Sequence, residues 1–528
     1  MAAHVDARTL KAWLSDEAEI AFIDVREAGQ FGEAHLFFAV PLPYSRFELG
    51  LPALVPNPAV RLVLCDHNDG VAAGAARRAE ALGWRNVHIL AGGVEAWRSA
   101  GYTLYAGVNV PSKTFGELIE HARHTPRVTA QAVQAMRDAG EDFVIVDGRT
   151  VAEYRRMNIP GGICCPNGEL ALRIGDIVPD PKTKIVVNCA GRTRSIIGAQ
   201  TLIDFGIPNP VYALENGTQG WFLAGLELEH GADRLYADKG AGANVSGLAA
   251  QARRLAESRG VAFIAADAAN RWLADASRTT YLIDVRTPEE FAASPVPGFA
   301  HAPGGQLIQA TDLWVGVKGA RLVLVDAEDV RAPVVAAWLR QLGHEACVLE
   351  GGIAAAAKLA WQRAAAPPAA PALKTMAPRD MAEALRTGAV QVVDLRPSMA
   401  YRKGHIPQAA WSNRPRVATA AGGGPKSVVL VADDIGIAAL AALDLAEAGF
   451  GEVRLLEGGH EAWRAANLPV AATPDTPADA DCIDFLFFTA ARHDGDVEAA
   501  RKYLTWEIGL VGQLDAQERG AFRIAGPV

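Results

Sequence analysis

The sequence predicts an α/β protein of four tandem units, each a largely parallel sheet flanked by helices, followed by a helical C-terminal extension. Three recurrences carry this reading. An apolar strand ending in aspartate and then arginine appears as AFIDVR at 21–26, VIVDGR at 144–149, YLIDVR at 281–286 and QVVDLR at 391–396. Its aspartates, Asp24, Asp147, Asp284 and Asp394, lie 123, 137 and 110 positions apart, the mark of a repeated structural unit. A second apolar run follows each at 62–76, 185–199, 322–336 and 428–442, and passes directly into an alanine- and leucine-rich helical stretch. A third strand then enters a turn and helix, as HILAGGVEAW, VYALENGTQGW, CVLEGGIAAA and RLLEGGHEAW. Short β-rich runs alternating with helical stretches specify parallel strands joined by helical crossovers.

The 528 residues accommodate this plan, since compact domains run to about 100–200 residues. The expected division is 1–108, 109–232, a linker and helix at 233–262, then 263–366, 367–475 and an extension at 476–528. A proline-rich run at 365–371 marks the joint before the fourth unit, and the glycine-containing spacer at 231–262 holds one expected helix. The segment DVEAARKYLTWEIGLVGQL at 496–514 reads as an amphipathic helix that packs on the protein.

Composition removes several function classes. Half of the residues are apolar and 21% are charged, which supplies real cores and rules out wholesale disorder. The balance of 51 basic against 60 acidic side chains argues against a dedicated nucleic-acid binder. No apolar run of about 18 residues suggests a membrane span, and the first residues lack a secretory pattern. The six cysteines show no zinc-type spacing. A cytoplasmic protein without metal or organic cofactor, contacting neither membrane nor nucleic acid, is the expectation.

The copies differ most at the first residue after the second strand. Asp66, Cys189, Asp326 and Ala432 fall in register there, and only the second unit carries a thiol. Its loop runs Cys189-Ala190-Gly191-Arg192-Thr193-Arg194, with Ser195 next. Backbone amides at a helix N-terminus, together with Arg192 and Arg194, favour thiolate over thiol, so the Cys189 pKa is expected below about 8.5. Arg194, last before the helix, has the better claim to the site; Arg192 is either a loop ligand or a solvated side chain. Cys65 and Cys347 read as small buried hydrophobes. An aspartyl-phosphate role for Asp66 or Asp326 finds no accompanying acidic cluster.

These elements together resemble the rhodanese family of sulfurtransferases. Asp24-Val25-Arg26-Glu27 and Asp284-Val285-Arg286-Thr287-Pro288-Glu289-Glu290-Phe291 are similar to its first signature. Gly404-His405-Ile406-Pro407-Gln408-Ala409 is similar to the next, and Glu457-Gly458-Gly459-His460-Glu461-Ala462-Trp463 to the last. The resemblance covers nearly the whole chain as four rhodanese-like domains. Tandem four-module thiosulfate sulfurtransferases of this kind are known in bacteria.

The resemblance implies that Cys189 carries sulfur as a persulfide, and the six-residue loop favours sulfur chemistry over the longer loop of related phosphatases. Two departures stand out: Arg192 occupies the usual glycine position, and the second unit replaces Gly-His-Ile with Met157-Asn158-Ile159. The implied activity moves sulfane sulfur from a small anionic donor, thiosulfate or a relative, to a thiol or cyanide acceptor. Ala190, Gly191, Arg192, Thr193 and Ser195 would form the loop cradle, with Ser195 read as a helix cap or, alternatively, a hydrogen-bond partner of the persulfide. Asp147 and Arg149 would support the loop as a charge pair. Cys164 and Cys165 are either strand residues or a sulfur relay, and Glu169 and Arg173 are candidate donor-pocket residues. A mercaptopyruvate-type enzyme and a persulfide- or redox-sensing scaffold are the alternatives. Units lacking the cysteine would be silent modules for packing or recognition, and internal pairing and a homodimer both stay open.

Overall fold

The aspartate-terminated strands are built into parallel sheets in this computed structural model, which describes residues 2–236, 245–361, 372–422 and 427–526. In the second repeat the strands Arg127–Val128, Phe143–Asp147, Ile163–Cys164, Lys184–Asn188 and Val211–Leu214 lie in the order 1-5-4-2-3. Every adjacent pair in it is parallel, with Val144 opposite Ile185 and Val211 also opposite Ile185. The other three repeats use the same order. The central strand is thus the one whose end carries Asp66, Cys189, Asp326 or Ala432. It is covered on both faces, which explains its unbroken apolar run. In the second repeat Val186 packs with Ile145, Ile159, Leu214 and Trp221.

The Asp-x-Arg repeat has a local cause. Each arginine folds back onto the aspartate two residues earlier, Nη2 to Oδ2 at 2.6, 2.7, 2.6 and 2.6 Å for Arg26, Arg149, Arg286 and Arg396. The same Nη2 also donates to the carbonyl eight residues ahead, at Ala34, Met157, Ser294 and Gly404. One buried side chain therefore ties the strand end to the end of the following helix. The aspartates are fully or almost fully buried, and a bidentate partner makes that burial tolerable.

The chain divides into two compact units. Residues 1–12, 21–108 and 364–488 form one, and residues 13–20, 109–363 and 489–528 form the other. In the first, the repeats meet through Tyr44–Arg46 and Arg414–Arg416. Arg414, fully buried, donates to the Tyr44 carbonyl at 2.9 Å and pairs with Glu48 and Asp444.

In the second unit, the equivalent elements Asn167–Glu169 and Gly304–Gln309 approach each other. A Cβ on Gly168 would fall 2.7 Å from the Gly305 amide, so that position requires glycine. The expected helix in the 231–262 spacer is Val245–Ser258; the proline-rich run at 365–371 lies outside the described residues.

The C-terminal segment of the second unit is helical. Asp496 caps the helix Val497–Gly509, accepting from the amides of Glu498 and Ala499 at 2.9 and 3.0 Å. Its buried residues, Ala500, Tyr503, Leu504 and Glu507, follow the spacing of one helical face. Among the described residues, no helix is long and apolar enough to cross a membrane.

Candidate active site

The strand Lys184–Asn188 delivers Cys189 to the carboxyl edge of its sheet, and the helix Thr193–Phe205 begins four residues later. The turn is held from behind. The carbonyls of Cys189 and Ala190 accept from the amides of Thr218 and Gln219 at 2.8 and 3.1 Å. Gly217 has φ +56° and a Cβ there would fall 2.3 Å from the Cys189 carbonyl oxygen. Gly93 and Gly352 take the same place against the Asp66 and Asp326 carbonyls, at 2.2 and 2.6 Å. This close approach explains the glycine-containing turn after each third strand.

Cys189 Sγ lies 3.6 Å from Ser195 Oγ. The expected helix cap at Ser195 is corrected: Arg192 occupies the capping position and Ser195 is the third helical residue. Its hydroxyl faces the carbonyl of Arg192 at 2.8 Å, while also reaching the cysteine sulfur.

The loop's positive charges are already engaged. Arg192 is only 6% exposed and is not solvated. It donates to Glu117 at 2.6 and 2.9 Å, to Glu120, and to Asn216 at 3.3 Å. Burial opposes its charge, but these carboxylates hold its pKa above the ordinary arginine value. Arg194 pairs with Glu153 at 2.8 and 2.7 Å. Burial again opposes the charge, and Glu153 together with nearby Cys189 outweighs it.

A further group comes from the C-terminal helix. Glu507, 1% exposed, accepts from Thr193 Oγ1 at 2.7 Å and from the Thr193 amide at 3.4 Å. A Cβ on Gly191 would fall 2.8 Å from Glu507 Oε2 and 2.9 Å from Tyr503 Cε1. Lys113 donates to Tyr503 OH at 2.6 Å and lies 3.8 Å from Glu507. Sequence reasoning missed Lys113, Glu117, Glu120, Tyr503 and Glu507. The buried-face spacing of the C-terminal helix was the available signal for the last two.

The remaining expected residues separate. Asp147 and Arg149 form the strand-end pair described above, with Asn188 Nδ2 donating to Asp147 at 2.8 Å. Cys164 packs with Tyr154 and Ala232, and burial pushes its thiol up to about 12. Cys165 is fully buried and its thiol is also pushed well up by burial, with Glu169 adding to the effect. Both are thereby held as thiols, the form poor in nucleophilicity. Glu169 does not line a donor pocket; it binds Arg331 of the third repeat at 3.2 Å, with Arg173 at 3.6 Å.

In the first and third repeats, the carboxylate at the position of Cys189 accepts from amides of its own loop. Asp66 accepts from the amides of Asn68 and Ala72 at 2.8 and 2.9 Å, and Asp326 from Val330 and Arg331 at 3.0 and 2.8 Å. Ala432 offers only a methyl group. Next to the Cys189 loop, Thr218 and Gln219 also form part of the wall of a cavity of about 660 Å³ with Met157, Phe222, Leu228 and Arg492. Both amide atoms of the buried Gln219 side chain lack a protein partner.

Comparison with known proteins places these features in context. The rhodanese-like domain model matches residues 6–100, 129–224, 265–359 and 377–466. The crystal structure of a thiosulfate sulfurtransferase from Pseudomonas aeruginosa is 41% identical, covers 100% of both chains and superposes with a TM-score of 0.89. The HTH-type transcriptional regulator Rv0324 of Mycobacterium tuberculosis is 33% identical over 105 residues, 20% of this chain and 45% of the regulator. The chain thus spans less than half of that relative. The putative sulfur carrier protein YrkF of Bacillus subtilis is 24% identical over 136 residues, 24% of this chain and 72% of its own length.

Proposed function

The chain belongs to the rhodanese-like domain family, and from that premise we propose that its second repeat transfers sulfane sulfur through a persulfide on Cys189. The observation that carries this reading is the placement of Cys189. Of four equivalent strand ends, it alone presents a thiol, within reach of a hydroxyl and beside a helix N-terminus.

The thiolate of Cys189 attacks the outer sulfur of thiosulfate. A Cys189–sulfur bond forms, the donor's sulfur–sulfur bond breaks, and sulfite leaves with the bonding electron pair. An acceptor thiolate or cyanide then attacks the terminal sulfur, and its departure as a new persulfide or thiocyanate restores the Cys189 thiolate. No net oxidation or reduction of the protein occurs over the cycle. The first-turn amides and the Ser195 hydroxyl stabilise the charge as it moves from one sulfur to the next. Arg194 contributes from its fixed position against Glu153. The neighbouring cavity exceeds what cyanide needs and falls in the range of small-molecule sites, which favours an organic thiol as acceptor. At the position equivalent to Cys189 the other three repeats carry Asp66, Asp326 and Ala432, and they serve as scaffold.

Intact-protein mass spectrometry after brief exposure to thiosulfate, and separately to mercaptopyruvate, tests this. The expected result is addition of one sulfur atom, discharged by cyanide and absent in C189A. Loading by mercaptopyruvate alone would reassign the donor. Failure of both donors on folded protein with reduced Cys189 would overturn turnover of these donors and leave a persulfide-sensing scaffold.

A further inference from the structure

The site built around Cys189 is closed. Cys189 is 2% exposed, and every residue from 189 to 195 is buried. The C-terminal helix contributes to this closure, with Glu507 on the Thr193 amide and hydroxyl and with Tyr503 against Gly191. A carboxylate on the first-turn amide of a helix occupies the kind of position an anionic ligand takes. One of its oxygens, Oε2, has no hydrogen-bond partner although the residue is almost wholly buried. An orphaned carboxylate oxygen in such surroundings is costly, so the seat is filled by a group that does not fully satisfy itself there.

The charges around the loop make the consequence specific. Arg192 is matched by Glu117 and Glu120, Arg194 by Glu153, and Lys113 is shared between Tyr503 and Glu507. An incoming anion therefore meets no uncommitted positive charge among these groups while Glu507 stays in place.

We propose that Glu507 is a specificity-determining residue: its carboxylate occupies the donor's anion seat and disfavours anionic reagents at Cys189 relative to neutral ones. Anionic donors must displace it. The inference rests on the sulfur-transfer reading for its biological meaning, while the charge effect itself is independent of that chemistry.

The test compares alkylation of Cys189 by iodoacetate, an anion, and by neutral iodoacetamide, in the full-length protein, read at the Cys189 peptide by mass spectrometry. Glu507→Gln retains the shape and an oxygen acceptor for Thr193 but removes the charge. Its iodoacetate-to-iodoacetamide rate ratio is expected to rise roughly five- to tenfold over wild type, and KM for thiosulfate to fall. Tyr503→Phe loosens the helix contact with Lys113 while keeping the carboxylate, and its ratio is expected to stay at the wild-type value. An unchanged ratio in E507Q overturns the proposal, as does an equal rise in Y503F, which would make helix loosening the cause. A raised ratio in an E507Q protein that no donor loads with sulfur would uphold the charge effect and overturn the sulfur-transfer reading instead.

Discussion

Arg194 and Glu153 form a two-pronged ion pair, Nη1 to Oε2 at 2.8 Å and Nη2 to Oε1 at 2.7 Å. Burial alone would raise the Glu153 pKa, but the arginine overrides it and holds the carboxyl at about 2, against an ordinary value of 4.5. A depressed folded-state pKa contributes stability that is full above the unfolded value and is lost as pH falls through the folded one. Acid unfolding between 4.5 and about 2 is therefore expected to be less steep in E153Q than in wild type. Equal slopes in urea titrations across that range would remove the pair from the acid response.

The same pair has a twin in a repeat without a nucleophile. Arg331 stands five residues after Asp326, as Arg194 stands five after Cys189, and it pairs with Glu290, the counterpart of Glu153. It also holds Glu169 and Glu328 while fully buried. The clamp thus occurs both beside Cys189 and in a repeat whose equivalent loop carries no thiol. R331A should cost about 3–5 kcal/mol, because removing one partner strands buried carboxylates, yet the protein that stays folded should still load sulfur on Cys189. R194A should lose both stability and loading rate. Sulfur loading by R194A at the wild-type rate would confine Arg194 to a structural part.

What the sequence revealed follows the distance over which each interaction acts. The Asp-x-Arg device joins residues two apart, so it is visible in any copy of the motif. The position of Cys189 was legible because strand and helix patterning fixes the register of Asp66, Cys189, Asp326 and Ala432. The loop's charge environment was not legible in that way. Glu117 and Glu507 lie 75 and 314 positions from the Arg192 and Thr193 groups they contact, and no local pattern links them. Arg192 looked free because its carboxylates belong to a helix before the first strand of its repeat, Val110–Arg123. Ser195 looked like a cap because helix starts read from sequence slip by a residue or two; here the helix begins at Thr193.

Ser195 lies beside the Cys189 sulfur. Its hydroxyl reaches Cys189 Sγ at 3.6 Å and the Arg192 carbonyl at 2.8 Å. Rotating toward a thiolate or persulfide, it would give a hydrogen bond to a charged group, worth about 1.5–3 kcal/mol. S195A is expected to slow cyanide-dischargeable sulfur loading by roughly 10-fold or more with little change in unfolding midpoint. Loading at the wild-type rate would assign the hydroxyl to the helix turn alone.

The first unit holds a buried acid that is only partly compensated. Glu27 is 6% exposed and accepts from Ser45 Oγ at 2.6 Å and from the Ser45 amide at 3.2 Å. Burial raises its pKa from 4.5 to about 7, with Asp484 pushing the same way and Arg414 against it. A carboxyl whose folded-state pKa is raised binds its proton more tightly in the folded protein. Stability is therefore greatest below the unfolded value and declines as pH rises toward and through about 7. The decline is on the order of 3 kcal/mol. Glu27→Gln removes the titration while keeping an oxygen for the Ser45 donors. Relative to wild type, E27Q should gain thermal stability at about pH 8 and show little gain at about pH 5. An equal difference at both values would mean that the carboxyl is not neutral in the folded protein at the lower pH, and that burial has been offset by Arg414 and Ser45.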